Sequence, residues 1–293
     1  MSLSAPEWLM AEVRQAKKGH SAEKEIYTRN LLSNLKLSTV CESALCPNRN
    51  ECFSHYTATF LILGDVCTRH CAFCAVKRDQ PLKSPDRDEP ERLAQAVAGL
   101  GLRHVVITSV TRDDLSDGGA NHYVEVVRTL RERCPGVKVE LLVPDFSGSD
   151  EALATLLEEA RPEILAHNLE TVPRLYPQVR QGADYHRSCA LLKKVKSISP
   201  EIITKSGLML GLGEEDWEVE EVLWDLRGTD CDMLTLGQYL APSLAHAPVA
   251  GYVTPEKFAG WRQKALDMGF RSVAAAPLVR SSYKAHIFSE VLR

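Results

Sequence analysis

Six of the nine cysteines in this 293-residue chain fall between positions 41 and 74, in two groups of three. Cys41, Cys46 and Cys52 are spaced C-x4-C-x5-C, and Cys67, Cys71 and Cys74 are spaced C-x3-C-x2-C. Thiolates are soft ligands suited to zinc and to iron–sulfur clusters, and a closed site of either kind takes four ligands. Each group supplies three, so each leaves a position for something other than a neighbouring cysteine. A metal centre with an open position is one that can bind and activate a small molecule. The other three, Cys134, Cys189 and Cys231, stand singly beside apolar stretches and read as packed or surface thiols.

Spacing alone keeps alternatives open. The second group could be a zinc site completed by His70 or His55, or a redox C-x-x-C made by Cys71 and Cys74. The first could be a zinc clip with His55. Three thiolates on one loop can equally hold three irons of a [4Fe–4S] cube whose fourth iron takes a small chelator, such as the amino and carboxylate groups of a methionine. Disulfides fit poorly. Nine is an odd number, and a chain with 44% hydrophobic residues has core enough without them. The N-terminus lacks a signal-peptide core, so a reducing, cytoplasmic setting is expected. No run of about 18 apolar residues suggests a membrane span. A net charge of −4 argues against a mainly electrostatic nucleic-acid binder.

These cysteines need a scaffold. From residue 57 onward short apolar runs alternate with longer amphipathic ones. The runs are TFLIL (59–63), HVVIT (104–108), VELLV (139–143), EILAHN (163–168), KSGLML (205–210), MLTLG (233–237) and RSVAAA (271–276). Continuous rather than alternating hydrophobicity marks strands buried on both faces. Helical patterns lie between them, often ended by glycine or proline. Repeated βα units imply an α/β fold, a partial (β/α)6-type TIM barrel, with a doubly wound open sheet as the alternative. No G-x-G-x-x-G opens a helix after the first strand, which disfavours that alternative. Residues 1–56 form an N-terminal helical arm carrying the first triad, 57–276 the barrel, and 277–293 a C-terminal tail. Residues 77–92 read as a solvated loop, and GLMLGLGE (207–214) as a strand with a glycine turn. The second triad follows the first strand and Gly64, on the face where such barrels place active sites. Thr108 and Ser109 end the second strand, and Asn168 and Glu170 the fourth.

The stretch CTRHCAFCAV, with Phe73 before its last cysteine, resembles the radical S-adenosylmethionine superfamily. VCESALCPNRNECF, TRDDLSDGGA (111–120), HNLETVPRLYPQVR (167–180), TKSGLMLGLGE (204–214), GQYLAPS (237–243) and RSSYKA (280–285) resemble the lipoyl synthases, over about residues 35 to 285. The resemblance implies two [4Fe–4S] clusters and S-adenosylmethionine. Cys67, Cys71 and Cys74 would hold the cluster that cleaves the cofactor. Cys41, Cys46 and Cys52 would hold an auxiliary cluster closed by Ser282, with Ser281 as the adjacent alternative. It further implies sulfur insertion at C6 and C8 of a protein-bound octanoyl-lysine, the auxiliary cluster being the sulfur donor. Partners would be octanoylated lipoyl domains or the glycine-cleavage H protein, and an electron donor such as ferredoxin or flavodoxin. Asn168 and Glu170 would bind ribose hydroxyls, Arg180 the methionyl carboxylate, and Thr108 and Ser109 the methionyl amino group. Arm and tail would have to meet over the barrel mouth. Lys205, Ser206 and Gln238 lie in matching blocks without an assigned role. The chain departs from the usual pattern at Phe53 (commonly tryptophan), Tyr56 (commonly glycine), Thr111 (commonly aspartate) and Gln181 (commonly proline).

Overall fold

The computed structural model describes residues 4–18, 20–78 and 83–290. Two compact units divide it: Val13–Arg69 with Ala75–Leu165, and Met1–Glu12 with His70–Cys74 and Ala166–Arg293.

In the first unit, helix Ala22–Asn34 precedes a two-residue strand β1 (Ser38–Thr39), short helices Val40–Ser43 and Arg49–Ser54, and strand β2 (Thr59–Ile62). A parallel pair, β3 (Val66–Cys67) and β4 (Lys77–Arg78), follows, then β5 (His104–Ser109), β6 (Lys138–Leu142) and β7 (Ile164–Ala166) at the boundary. β1 is antiparallel to β2, whereas β2, β5 and β6 pair in parallel, with Phe60 beside Ile107 and Val106 beside Glu140. All four residues of β2 are buried, as its unbroken apolar run requires. Helix Glu89–Leu100 buries Leu93, Ala94, Val97 and Leu100, the one-face spacing of a 3.6-residue repeat. It stops at Gly101, whose φ of +63° suits the left-handed cap.

In the second unit helix Tyr185–Ile198 leads into β8 (Ile203–Leu210), which pairs in parallel with β9 (Met233–Gln238), and β9 with β10 (Ser272–Ala275); helices Asp216–Gly228 and Pro255–Asp267 lie between these strands in sequence. Thr254 accepts from the Lys257 N–H and Pro255 fills the first turn, so the last of these starts sharply. All seven expected strands and the helices between them are present, in a parallel α/β arrangement. Three features differ from the sequence reading. β1 is too short to leave a periodic signal. Lys77–Arg78 pair with Val66–Cys67 and helix Glu89–Leu100 begins inside the segment read as loop, of which residues 79–82 lie outside the described residues. The tail ends in a helix, Ala285–Glu290. Among the described residues no helix is long and apolar enough to cross a membrane.

Candidate active site

The first triad rides on short structured turns within the first unit. Thr39 caps helix Val40–Ser43 by accepting from the Glu42 N–H at 3.3 Å, and Cys41 lies one residue inside it. The Cys46 N–H donates to the Cys41 carbonyl at 3.1 Å, and the Thr57 N–H to the Cys52 carbonyl at 2.9 Å. Burial pushes the Cys41 thiol up to about 11, with a smaller push from the neighbouring Cys46. A metal bound by this thiol would have to displace its proton. His55 turns Nδ1 to the Glu51 carbonyl of its own helix, at 2.8 Å. Among the described residues no three His, Cys, Asp or Glu side chains are gathered tightly enough to hold one metal ion. A cube spreads its ligands over separate irons and needs no such convergence. The donor set, three thiols free of disulfides in each triad, suits a cluster.

Tyr56 explains one departure from the family pattern. Its φ is +56°, a left-handed backbone in which glycine costs nothing and tyrosine is strained. The ring is held edge-on to Tyr27 at 5.7 Å, with the Lys24 ammonium 5.3 Å from its centroid.

Leading into the second triad, Leu63 (φ +67°) and Gly64 (φ +96°) make the turn after β2. The Leu63 N–H donates to Glu89 at 3.0 Å, Glu89 meets His122 at 2.6 Å, and Arg112 donates to the Leu63 carbonyl at 3.2 Å. Leu63 is thus held at both its N–H and its carbonyl. Arg69, between Cys67 and Cys71, forks onto Asp113 at 2.8 and 2.9 Å and reaches Asp145 at 2.6 Å. Thr68 donates to the Thr111 carbonyl and to Asp113. None of Glu89, Arg112, Arg69, Asp113 and Asp145 was given a role from sequence. The block TRDDLSDGGA was the available signal, but its partners are far off in the chain.

Cys71 and Cys74 belong to the second unit. The Cys74 N–H donates to the Cys71 carbonyl at 3.1 Å. Between them, the Ala72 N–H donates to the Val179 carbonyl and its carbonyl accepts from the Ala247 N–H. Next to Val179, Arg180 donates through Nη1 to the Tyr176 hydroxyl at 2.8 Å and to Ser188 at 3.2 Å. Burial works against its charge, but Tyr176, Glu170 and Cys71 outweigh this and raise its pKa. A fixed, permanently charged guanidinium suits a carboxylate. Asn168 donates to Glu170 at 3.0 Å, while its Oδ1, buried, has no protein partner. Such an orphaned acceptor is costly unless a ligand donor fills it. The Glu170 backbone is left-handed (φ +67°) and tied to β8 through the Gly207 carbonyl and the Met209 N–H. Gly207 is required there, since a Cβ would lie 2.4 Å from Thr235 Oγ1 and 3.1 Å from Asn168 Oδ1. Asn168, Glu170 and Arg180 are therefore brought together, and they fit a polar cofactor.

Thr108 spends its hydroxyl proton on the Leu142 carbonyl at 2.9 Å, which leaves its oxygen able to accept from an ammonium. Ser206 accepts from the Leu169 N–H, and Gln238 binds the Gly251 carbonyl and the Val253 N–H. These two hold backbone in place. Ser281 and Ser282 lie part-buried in the turn before helix Ala285–Glu290.

Comparison with known proteins bears on this arrangement. Residues 61–226 match the family model of the radical SAM superfamily. The lipoyl synthase of Caldanaerobacter subterraneus subsp. tengcongensis is 53% identical over 287 residues, 98% of either chain. The chain belongs to the lipoyl synthase family. A second lipoyl synthase, from Trichlorobacter lovleyi, is 58% identical over 280 residues and 96% of each chain. The FeFe-hydrogenase maturase HydG of Carboxydothermus hydrogenoformans, only 10% identical, shares the fold, with a TM-score of 0.57 over 98% of this chain and 81% of that one. The fold is the partial TIM barrel of radical S-adenosylmethionine enzymes. As a lipoyl synthase family member the chain is a sulfur-transferring enzyme that uses iron–sulfur chemistry and S-adenosylmethionine.

Proposed function

We propose that this lipoyl synthase family member inserts two sulfur atoms, at C6 and C8, into an octanoyl group carried on a protein lysine. When bound, a [4Fe–4S] cluster on Cys67, Cys71 and Cys74 with S-adenosylmethionine supplies a hydrogen-abstracting 5′-deoxyadenosyl radical, and a second cluster on Cys41, Cys46, Cys52 and Ser282 supplies the sulfide.

The chain's own groups orient and shield. Asn168 Oδ1 accepts from a ribose hydroxyl and Glu170 from its neighbour. Arg180, steadied by Tyr176 and Ser188, takes the methionyl carboxylate, and the oxygens of Thr108 and Ser109 receive the methionyl ammonium. Ser282, a hard oxygen donor beside soft thiolates, would hold its iron more weakly than the cysteines hold theirs. The acceptor is an octanoylated lipoyl domain or glycine-cleavage H protein, electrons come from a ferredoxin or flavodoxin, and the setting is the cytoplasm.

The observation that carries this reading is the pair of three-cysteine groups in a chain that matches lipoyl synthases along nearly its whole length. Anaerobic incubation of the reconstituted protein with S-adenosylmethionine, reductant and an octanoyl-lysine peptide tests it. Formation of 5′-deoxyadenosine with a lipoyl-lysine product is expected. Absence of both overturns the reading.

A further inference from the structure

His167 stands directly after β7, 1% exposed, in the segment that goes on to Asn168 and Glu170. Its backbone N–H donates to the Lys205 carbonyl of β8 at 3.0 Å. Its ring Nε2 lies 3.0 Å from Oγ of Ser188, a fully buried residue of helix Tyr185–Ile198. Ser188 has one hydroxyl proton and gives it to the Asp184 carbonyl at 2.9 Å, so its oxygen is left to accept. It accepts from Arg180 Nη1 at 3.2 Å, and the His167 ring must therefore present an N–H at Nε2. With one hydrogen bond donated and two accepted, the hydroxyl is saturated and its place is set.

The same segment reaches Arg180 by a second route. The Leu169 carbonyl accepts from the Tyr176 hydroxyl at 2.8 Å, and that hydroxyl accepts from Arg180 Nη1 at 2.8 Å. Burial pushes the Tyr176 pKa up, so the phenol keeps the proton it donates. Both protons of Nη1 are thus taken by hydroxyl groups that residues 167 and 169 hold in place. The hydrogen bonds of the guanidinium to described residues all run through Nη1, and its Nε–Nη2 edge is left for a bidentate carboxylate.

We infer that His167 is a positioning residue for the cofactor: through Ser188 it fixes the orientation in which Arg180 meets the methionyl carboxylate. The inference rests on the proposed role of Arg180 and carries it one residue further out. Residues 167–170 then serve both ends of the cofactor. Asn168 and Glu170 take the ribose, while His167 and the Leu169 carbonyl steady the group that takes the amino-acid end.

Equilibrium dialysis of the reconstituted, unreduced protein against S-adenosylmethionine and against its decarboxylated analogue tests this without turnover. His167→Leu removes the donor, His167→Gln keeps an N–H near the Nε2 position, and Ser188→Ala removes the oxygen between His167 and Arg180. His167→Leu and Ser188→Ala are each expected to weaken S-adenosylmethionine binding about three- to tenfold while leaving the decarboxylated analogue nearly unchanged. His167→Gln should recover most of that loss. Because the effect runs through one oxygen, adding His167→Leu to Ser188→Ala should cost little more. Equal weakening toward both ligands, no weakening toward either, or fully additive losses overturns the positioning role. Arg180→Gln separates this from the reading beneath it, and should show the same preference more strongly. If Arg180→Gln instead weakens both ligands alike, Arg180 does not hold the carboxylate, and that assignment falls together with the inference.

Discussion

The Arg69 guanidinium reaches the Asp145 carboxylate at 2.6 Å, with the two side chains only 8% and 0% exposed. Its other contact, Asp113, is bidentate, so one arginine placed two residues after Cys67 is bound to the loops after β5 and β6. A buried carboxylate is tolerable only while paired. The backbone just after Cys67 is thereby anchored to both of those loops.

Removing that cation should be expensive. Arg69→Ala is expected to cost about 3–5 kcal/mol, because Asp145 would be left as an uncompensated buried charge. Arg69→Lys should restore only part of this, since an ammonium cannot fork across two carboxylates. Burial pulls the Asp113 pKa up, but Arg69, Ser147 and Thr68 outweigh it and hold it below the ordinary value. That contribution is present above the usual aspartate range and is lost as pH falls through the depressed pKa. Urea unfolding should show the gap between wild type and Arg69→Ala narrowing in acid below about pH 4. A constant gap would assign the loss to packing alone.

Glu170 has the opposite sign. Burial raises its pKa, and Arg180, Asn168 and Arg280 only partly offset this. The folded state then holds the proton more tightly than the unfolded one, so stability declines as pH rises through the interval above the ordinary glutamate value. Glu170→Gln is expected to raise Tm at neutral pH, with no gain in acid. It should also weaken S-adenosylmethionine binding about tenfold, the loss of one charge-assisted hydrogen bond. Thermal melts across pH, paired with cofactor titration, check both halves. Unchanged affinity would remove Glu170 from the cofactor site.

Gly237 meets the tail. A Cβ there would lie 2.1 Å from the Val279 carbonyl, a contact that backbone must yield to relieve. Gly237→Ala should cost about 1–3 kcal/mol by overpacking. It should also displace the segment leading into Ser281 and Ser282. The expected outcome is 5′-deoxyadenosine formation near wild type with lipoyl product reduced. Equal loss of both would place the defect in cofactor cleavage.

The barrel strands were legible because burial on both faces forces near-continuous apolar runs, as in TFLI, where all four residues are buried. The triads stood out in the sequence by their spacing alone. What stayed hidden depends on contacts far apart in sequence. Ser38–Thr39 is too short for any period, and it joins the sheet only through its pairing with Phe60 and Leu61. Arg69 finds Asp145 across 76 residues, so a charged residue inside the cysteine motif gave no sign that it is an anchor. Tyr56 was visible as a departure, whereas the reason, a left-handed backbone, belongs to the folded chain.

Under the proposed division of labour between the two cysteine groups, losing Cys41 and losing Cys71 have different consequences. Cys41→Ala and Cys71→Ala are reconstituted anaerobically, and 5′-deoxyadenosine and lipoyl-lysine are quantified from the same reactions with an octanoyl-lysine peptide. Cys71→Ala is expected to form neither. Cys41→Ala is expected to cleave S-adenosylmethionine at close to the wild-type rate while making no lipoyl product. Loss of 5′-deoxyadenosine to the same extent in both variants, or lipoyl product from Cys41→Ala, would contradict that division.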